Sequence, residues 1–400
     1  MTTTRQNSRC TCSTESRHGR TSSAMAEDAT DPVSQSANQT DRTERVEDEE
    51  TSKKKMTILD SDGDLEVKCF DQATQATTSF LVSSKILQLA SPVFRCMFKP
   101  QYKEGQQLLQ ADRPAVVLEG DDAPLMETIF KILHHGSDIR TTNVDPRTLV
   151  RLAIISDKYD LTETLRVWSA FWFRLIPDND ATSEELGFLL LASWLFKDMQ
   201  KFKNVFALAV WKLPLGFEKK WAKEELLDII PEHLTMVMNR EIKQTLNDLE
   251  MLLQTTPAFL RQGTGAWETQ MMACSGCSRI HPAAAKTCHP CNNNHLQKKL
   301  CNTDSRLVEF FLALEAQSLW PMVQQFDICS PIQIANLIAK LNFDKHVCGA
   351  SRACPLQTCL DTIKSRMSIA RDNIRSRFCL QCIKEGGSGD DGQCCTHKQT

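Results

Sequence analysis

The chain has 400 residues, of which 24% are charged and 41% are hydrophobic, and its formal net charge is −3. This length predicts two or three domains, and the slightly acidic balance argues against a protein that mainly coats nucleic acid. No run of about 18 apolar residues is present and no apolar stretch follows Met1, so we expect neither a membrane span nor a signal peptide. We therefore expect a cytoplasmic or nuclear protein, and in that reducing compartment 17 cysteines favour metal ligands over disulfides.

Residues 1–55 contain almost no large apolar side chains, so they cannot bury enough surface to offset the entropy of ordering. This composition predicts a disordered tail. The run Lys53-Lys54-Lys55 is more typical of a solvated charged segment than of a nuclear import signal.

Order is expected to begin near Met56. Residues 57–59 and 65–70 predict two strands of one hairpin, and residues 80–82 and 115–118 predict further strands. A helix is predicted over residues 162–173. Capping residues and prolines predict four more helices, which begin near Ser83-Ser84, Ser91-Pro92, Asp121-Asp122 and Asp145-Pro146.

Residues 56–176 carry several short motifs in a recognisable order. Phe80-Leu81-Val82 precedes a helix, then come Ser91-Pro92-Val93-Phe94-Arg95-Cys96-Met97-Phe98 and Glu104. The later pieces are Asp121-Asp122 after a strand, Ile132-Leu133-His134 at a helix end, and the stretch from Leu152-Ala153 to Asp157-Lys158-Tyr159. This region resembles the BTB/POZ domain, and its motifs are most similar to those of fungal BTB proteins.

The resemblance implies an α+β fold, in which a cluster of helices packs on a small sheet, and a function in protein association without catalysis. It also implies a possible substrate adaptor for a cullin-type ubiquitin ligase. In such adaptors the cullin contact falls at the positions occupied here by Phe98, Lys99, Pro100, Gln101 and Tyr102. Local packing is the alternative role for Phe98 and Tyr102, because their four-residue spacing places them side by side.

Ser83 and Ser84 depart from the family pattern, since many animal members have His followed by Lys or Arg there. That neighbourhood contributes charge to the animal proteins' dimer interface, so whether this chain pairs with itself or with another protein stays open. Lys85 is a candidate replacement for the missing charge.

Residues 177–265 have apolar positions at helical spacing, including a long helix opened by Pro231, and predict a helical extension that packs on the BTB-like region. A partner-binding groove among these helices is the alternative. A further helical region is expected over residues 303–378, so that the C-terminal part is mostly α-helical with Cys-rich segments.

Thirteen cysteines follow residue 270. Within residues 266–302, two Cys-x-x-Cys pairs predict one tetrahedral structural zinc site, with His281, His289 and His295 as spare ligands. The alternative is a mobile, reduced loop. The four predicted ligands are Cys274, Cys277, Cys288 and Cys291.

Two further groups lie closer to the C-terminus. For His346, Cys348, Cys354 and Cys359 the spacing is irregular, and buried thiols are expected rather than a metal site. Residues 379–400 form a Cys/His-rich tail whose spacing predicts a second zinc site. Its predicted ligands are Cys379, Cys382, Cys394 and His397.

Residues 360–378 predict an amphipathic helix, about 30 Å long, that keeps Cys359 and Cys379 from sharing a metal. Its basic residues favour a solvated face, although they leave open a zinc-dependent, nucleic-acid-binding transcriptional regulator as an alternative function. Motifs of serine hydrolases, phosphate-binding loops, zinc peptidases and dinucleotide-binding folds are missing from the sequence, so we do not expect an enzyme.

Overall fold

The computed structural model describes residues 56–71, 76–136, 144–177, 180–261, 269–343, 346–348 and 354–376, all of which belong to one compact unit. The predicted tail 1–55 and the predicted ligands Cys379, Cys382, Cys394 and His397 lie outside these residues. The fold mixes many helices with two small sheets, which confirms a mixed α and β architecture. In the described ranges no helix combines the length and the apolar character needed to cross a membrane.

The first sheet has four strands in the order β1-β3-β2-β4, with β1 parallel to β3 and β4 parallel to β2. The predicted hairpin between the first two strands is wrong, because β2 instead pairs antiparallel with β3 over seven residues. β1 is only three residues long and partly exposed, and it forms a short edge strand of the sheet. The strands are β1 Met56–Ile58, β2 Leu65–Asp71, β3 Ala76–Val82 and β4 Ala115–Asp122.

In the residues that the structure describes, six helices accompany this sheet, and several begin where the sequence predicts. Ser91, Asp122 and Asp145 each accept a hydrogen bond from a backbone N–H in the first turn of the helix that they cap. The helices are α1 Ser84–Ala90, α2 Pro92–Met97, α3 Lys103–Gln110, α4 Ala123–Leu133, α5 Pro146–Lys158 and α6 Arg166–Leu175.

The predicted helical extension is present and packs on the preceding helices through α7, which lies against α5. Residues 186–193 of α7 are all buried, as expected of a helix that is apolar on every side. A 3-10 turn at Glu225–Ile229 precedes the longest helix. The helices are α7 Ser183–Leu195, α8 Met199–Lys212, α9 Glu218–Trp221 and α10 Glu232–Arg261.

The second sheet has the strand order β6-β5-β7 and is antiparallel throughout. We call this sheet with its loops, residues 269–301, the ribbon. Past the ribbon, the described part of the chain has four helices, all of which pack on α10. The elements are β5 Thr269–Cys274, β6 Ile280–Pro282, β7 Leu296–Cys301, α11 Thr303–Ala316, α12 Met322–Ile328, α13 Pro331–Ala339 and α14 Pro355–Ser376.

Helix α14 confirms the predicted amphipathic helix, although it begins five residues earlier than predicted. Ile363 and Ile374 are buried, while Lys364, Arg366 and Arg371 are exposed. These three basic residues therefore lie on the solvent side of the helix, as the pattern predicts.

One continuous core runs from Leu65 in β2 to Ile374 in α14. It joins the BTB-like region, the helical extension and the C-terminal helices without a break in apolar packing. The buried ribbon residues Ala273, Cys274 and Cys288 lie outside this core, so the ribbon has almost no apolar interior of its own.

Candidate metal centres

The four cysteines of the ribbon come together as predicted. Cys274 ends β5, and a tight turn with Ser278 at a φ of 57° brings Cys277 back beside it. A second turn, with Asn292 at a φ of 54°, does the same for Cys288 and Cys291. We call this cluster the ribbon centre.

The sulfur atoms of the ribbon centre are spaced as a tetrahedral ion requires. The Sγ of Cys274 lies 3.4 Å from that of Cys291, and the Sγ of Cys277 lies 3.4 Å from that of Cys288 and 3.5 Å from that of Cys291. All four ligand atoms lie within 4.8 Å of one another. A zinc–sulfur bond of about 2.3 Å would set these separations at about 3.8 Å, so the cluster can hold zinc with little adjustment.

Hydrogen bonds in the ribbon centre favour a charged thiolate. The backbone N–H of Cys277 lowers the pKa of Cys274 to about 6, and that of Gly276 adds to the effect at 3.4 Å from the sulfur. Hydrogen bonding to the Cys274 sulfur raises the pKa of Cys291 to about 12. Without a metal the Cys274 sulfur is therefore anionic beside the protonated Cys291, and a divalent ion would displace the Cys291 proton.

The spare histidines of the ribbon are not equivalent. The Nε2 of His281 lies 3.2 Å from the Sγ of Cys288, where a ring N–H can donate to a metal-bound sulfur. His289 and His295 are exposed and lie outside the four-cysteine cluster. The cysteines alone complete the ligand set, and His281 belongs to its surroundings.

Only three members of the second sequence group come together. His346, Cys348 and Cys354 do gather, and their fourth partner is Cys301 at the end of β7. Cys359 instead lies one turn into α14, where its Sγ donates to the Leu356 carbonyl at 2.9 Å. Burial raises the pKa of Cys359 to about 12, so it stays a neutral thiol. We call the four-residue cluster the body centre.

The body centre is as compact as the ribbon centre and more deeply buried. The Sγ of Cys354 lies 3.8 Å from that of Cys301 and 3.2 Å from the Nε2 of His346. The Nε2 of His346 lies 3.5 Å from the Sγ of Cys301, and Thr269 Oγ1 lies 3.3 Å from the Sγ of Cys348. Cys301 and Cys354 are at most 1% exposed.

Local electrostatics in the body centre separate one anionic sulfur from its neighbours. Burial opposes ionisation of Cys354, but hydrogen bonds from His346 and from the Leu356 N–H outweigh it and lower its pKa to about 6. Burial likewise opposes protonation of His346, yet Cys354 and Glu309 raise its pKa to about 9. Burial also raises the pKa of Cys301. The metal-free site is thus an imidazolium–thiolate pair.

The sequence prediction lacks Cys301 because this cysteine, at the end of β7, has no other cysteine near it in the chain. A usable signal was the pair His346-x-Cys348, since alternate residues of an extended segment project to the same side. Such a pair needs further ligands from elsewhere in the chain, and Cys301 directly precedes Asn302, the N-cap of α11.

The predicted partner-contact residues divide into two kinds. Phe98 is 8% exposed and stacks on Phe94 with ring centroids 5.8 Å apart, so its side chain is packed inside, as the alternative role predicts. The other four positions are exposed, namely Lys99, Pro100, Gln101 and Tyr102.

Comparison with known protein families finds no match for this sequence, and comparison with curated proteins finds none either. The two cysteine-rich centres therefore rest on the geometry of their ligand atoms.

Proposed function

We propose that this chain is a protein-interaction module of the BTB/POZ type, which acts by homo- or hetero-association and without catalysis. The observation that carries the proposal is the convergence of residues from the separate stretches that resemble the family. Ser91 donates to the Tyr159 carbonyl at 2.5 Å, and Phe94 stacks on the Tyr159 ring with centroids 4.5 Å apart. The Tyr159 hydroxyl and Lys158 both bond to the buried carboxylate of Asp121.

This network supports the proposal because its members come from three stretches up to 68 residues apart in sequence. A chance likeness of short motifs would not require those positions to meet. Here they form one connected set of buried contacts between α2, β4 and the end of α5, beside the sheet.

Ser83 and Ser84 have internal roles that bear on self-association. The Ser83 N–H donates to His134 Nε2 at 3.1 Å, and the Ser84 hydroxyl donates to Asp64 at 2.6 Å. The Ser83 backbone and the Ser84 side chain therefore fasten the start of α1 to its neighbours. Lys85 is exposed and is the nearest charged residue on α1 for a contact between copies.

Zinc in the ribbon centre would have a structural role. The four cysteines leave no position free for water or substrate, whereas a catalytic zinc keeps one position open. The ion would hold two turns of a sheet that lacks an apolar interior.

A cullin-type ligase adaptor is the more specific form of this function. It is favoured by the exposed loop between α2 and α3 and by the helical extension, whose α7 packs directly on α5. In this form the loop residues Lys99 and Tyr102 would contact the cullin, while Phe98 supports the loop from below.

The test uses the full chain, because the continuous core prevents clean removal of residues 56–176. Binding to a purified cullin N-terminal region is measured for wild type, Lys99→Glu and Tyr102→Ala, with Lys219→Glu as an exposed control of the same charge change. The adaptor form expects binding that weakens at least about tenfold in both loop variants, which is about 1.4 kcal/mol, and that is unchanged in the control. No binding by the wild-type chain would refute the adaptor form.

Self-association is measured on the same proteins by sedimentation. The broader proposal expects either a concentration-dependent dimer or capture of a specific partner that Lys85→Glu or Lys99→Glu removes. A strictly monomeric chain whose captured proteins are identical in wild type and both variants would overturn it.

A further inference from the structure

The body centre joins parts of the chain that are far apart in sequence. Cys301 lies at the end of β7, His346 and Cys348 lie in the segment after α13, and Cys354 directly precedes α14. We propose that the body centre is a second structural zinc site, that Glu309 positions its histidine ligand, and that its ion fastens the ribbon to the helical core.

The orientation of His346 is the strongest support for a metal. Its Nδ1 lies 2.7 Å from the Glu309 carboxylate, which accepts the proton on that nitrogen. The Nε2 faces the three sulfur atoms, and an ion bound there would displace the second proton of the imidazolium. A carboxylate on the far nitrogen of a ligating histidine is the usual outer support of protein zinc sites, because it fixes both the tautomer and the ring plane.

The donor set selects the ion. Three thiolates and one imidazole form a soft, four-coordinate set that suits zinc and does not suit magnesium or calcium, which require oxygen ligands. The ligand atoms lie within 4.8 Å of one another, and the four protein ligands leave no open position. The role is therefore structural.

The two centres differ in what depends on them. Cys301 and Cys354 belong to the continuous core, whereas Cys274 and Cys288 do not. Glu309 lies on α11, whose cap Asn302 follows the ligand Cys301. An ion in the body centre thus ties β7, α11 and α14 together, and its loss should loosen the C-terminal helices. Loss of the ion in the ribbon centre should affect only the ribbon.

The experiment measures zinc bound per full chain by metal analysis and thermal unfolding by circular dichroism. Cys301→Ser and Cys277→Ser should each lower the zinc content by one ion, and the double variant should lower it by two. Only Cys301→Ser should lower the Tm of the helical signal. Comparing differences between variants makes the result independent of any further site in the chain.

Cobalt substitution distinguishes the two sites. The intensity of the thiolate-to-cobalt charge-transfer absorption follows the number of sulfur ligands, which is four in the ribbon centre and three in the body centre. Cobalt-loaded Cys277→Ser should retain the three-thiolate spectrum, and Cys301→Ser the four-thiolate spectrum.

Glu309 supplies a test that does not depend on a folded cysteine variant. Glu309→Ala should weaken zinc binding at the body centre by about 10- to 100-fold in competition with a coloured chelator. Glu309→Gln should recover part of that loss because its carbonyl oxygen still accepts from Nδ1. Glu315→Ala, an exposed change on the same helix, is the control.

The proposal is overturned if Cys301→Ser folds and keeps the full zinc content. It is equally overturned if Glu309→Ala binds zinc as tightly as the control does. Neither result would bear on protein association through the BTB-like region, so the two proposals fail separately.

Discussion

The hydroxyl of Ser91 caps α2 and also binds the backbone at the end of α5. Its removal therefore gives a quantitative test of the core of the BTB-like region. Ser91 is 0% exposed. Its Oγ accepts from the Phe94 N–H at 3.0 Å, which caps α2, and donates to the Tyr159 carbonyl at 2.5 Å. Ser91→Ala would remove this partner from both backbone groups while they stay buried.

The expected cost is the sum of two effects. Loss of a helix N-cap costs about 1 kcal/mol, and a buried carbonyl left without its donor costs about 1–3 kcal/mol. We therefore expect Ser91→Ala to lower the free energy of unfolding by about 2–4 kcal/mol. Ser83→Ala is the matched control, because the Ser83 cap is half-buried and its hydrogen bond to Ile86 is longer, at 3.4 Å. We expect about 0.5–1 kcal/mol for the control, the low end of the range for a lost N-cap.

Urea unfolding of the metal-loaded protein, followed by tryptophan fluorescence, measures both changes, since Trp168 and Trp172 lie in α6 of the same region. Unfolding free energies of the two serine variants within about 0.5 kcal/mol of each other would show that the two buried hydrogen bonds of Ser91 do not supply this stability.

Three further predictions concern backbone space, alkaline pH and acid pH. Gly105→Ala should destabilise the chain by about 3 kcal/mol or more in thermal unfolding, because its new Cβ would lie 2.0 Å from the Lys99 carbonyl oxygen. Gly120→Ala, at an open position with a φ of 74°, should cost only about 1 kcal/mol; equal losses in the two variants would contradict this. Burial raises the pKa of Cys69 from 9.0 to about 12. The neutral thiol therefore contributes about 4 kcal/mol of stability, which is complete below pH 9 and is lost as the pH rises towards 12. Cys69→Ala should flatten that alkaline loss in urea midpoints measured across this range, and an unchanged slope would exclude Cys69 as its source. Finally, because protons compete with metal for the sulfur atoms, zinc release measured with a coloured chelator should increase as pH falls below neutrality; release that does not depend on pH would argue against thiolate ligands.

The sequence predicts best where short-range signals decide the structure. The helix starts at Ser91, Asp122 and Asp145 follow from caps and prolines, and these act within one turn. The ribbon centre was equally predictable, because each Cys-x-x-Cys pair sets two ligands through its own turn. In both cases the chemistry that determines the result lies within a few residues.

Predictions failed where partners come from distant parts of the chain. The pairing of β2 with β3 rather than β1 depends on how many residues each strand can align. The body centre needs Cys301, which is 45 residues before His346, and spacing within one segment cannot reveal it. Cys359 was grouped with His346, Cys348 and Cys354 because it lies near them in sequence. Its sulfur instead donates to a carbonyl of its own helix.

The length of α10 sets limits on how this chain can be divided. The helix has 30 residues, spans about 45 Å and contacts α8, α11, α12, α13 and α14. Each helix that the structure describes after the ribbon therefore packs on a surface that is synthesised before it. A fragment that ends at Arg261 would expose the apolar side of α10, and a fragment that begins at Thr269 would lack the support for its own helices. We expect both fragments to aggregate on expression, whereas their co-expression should recover a soluble complex that can be detected by gel filtration.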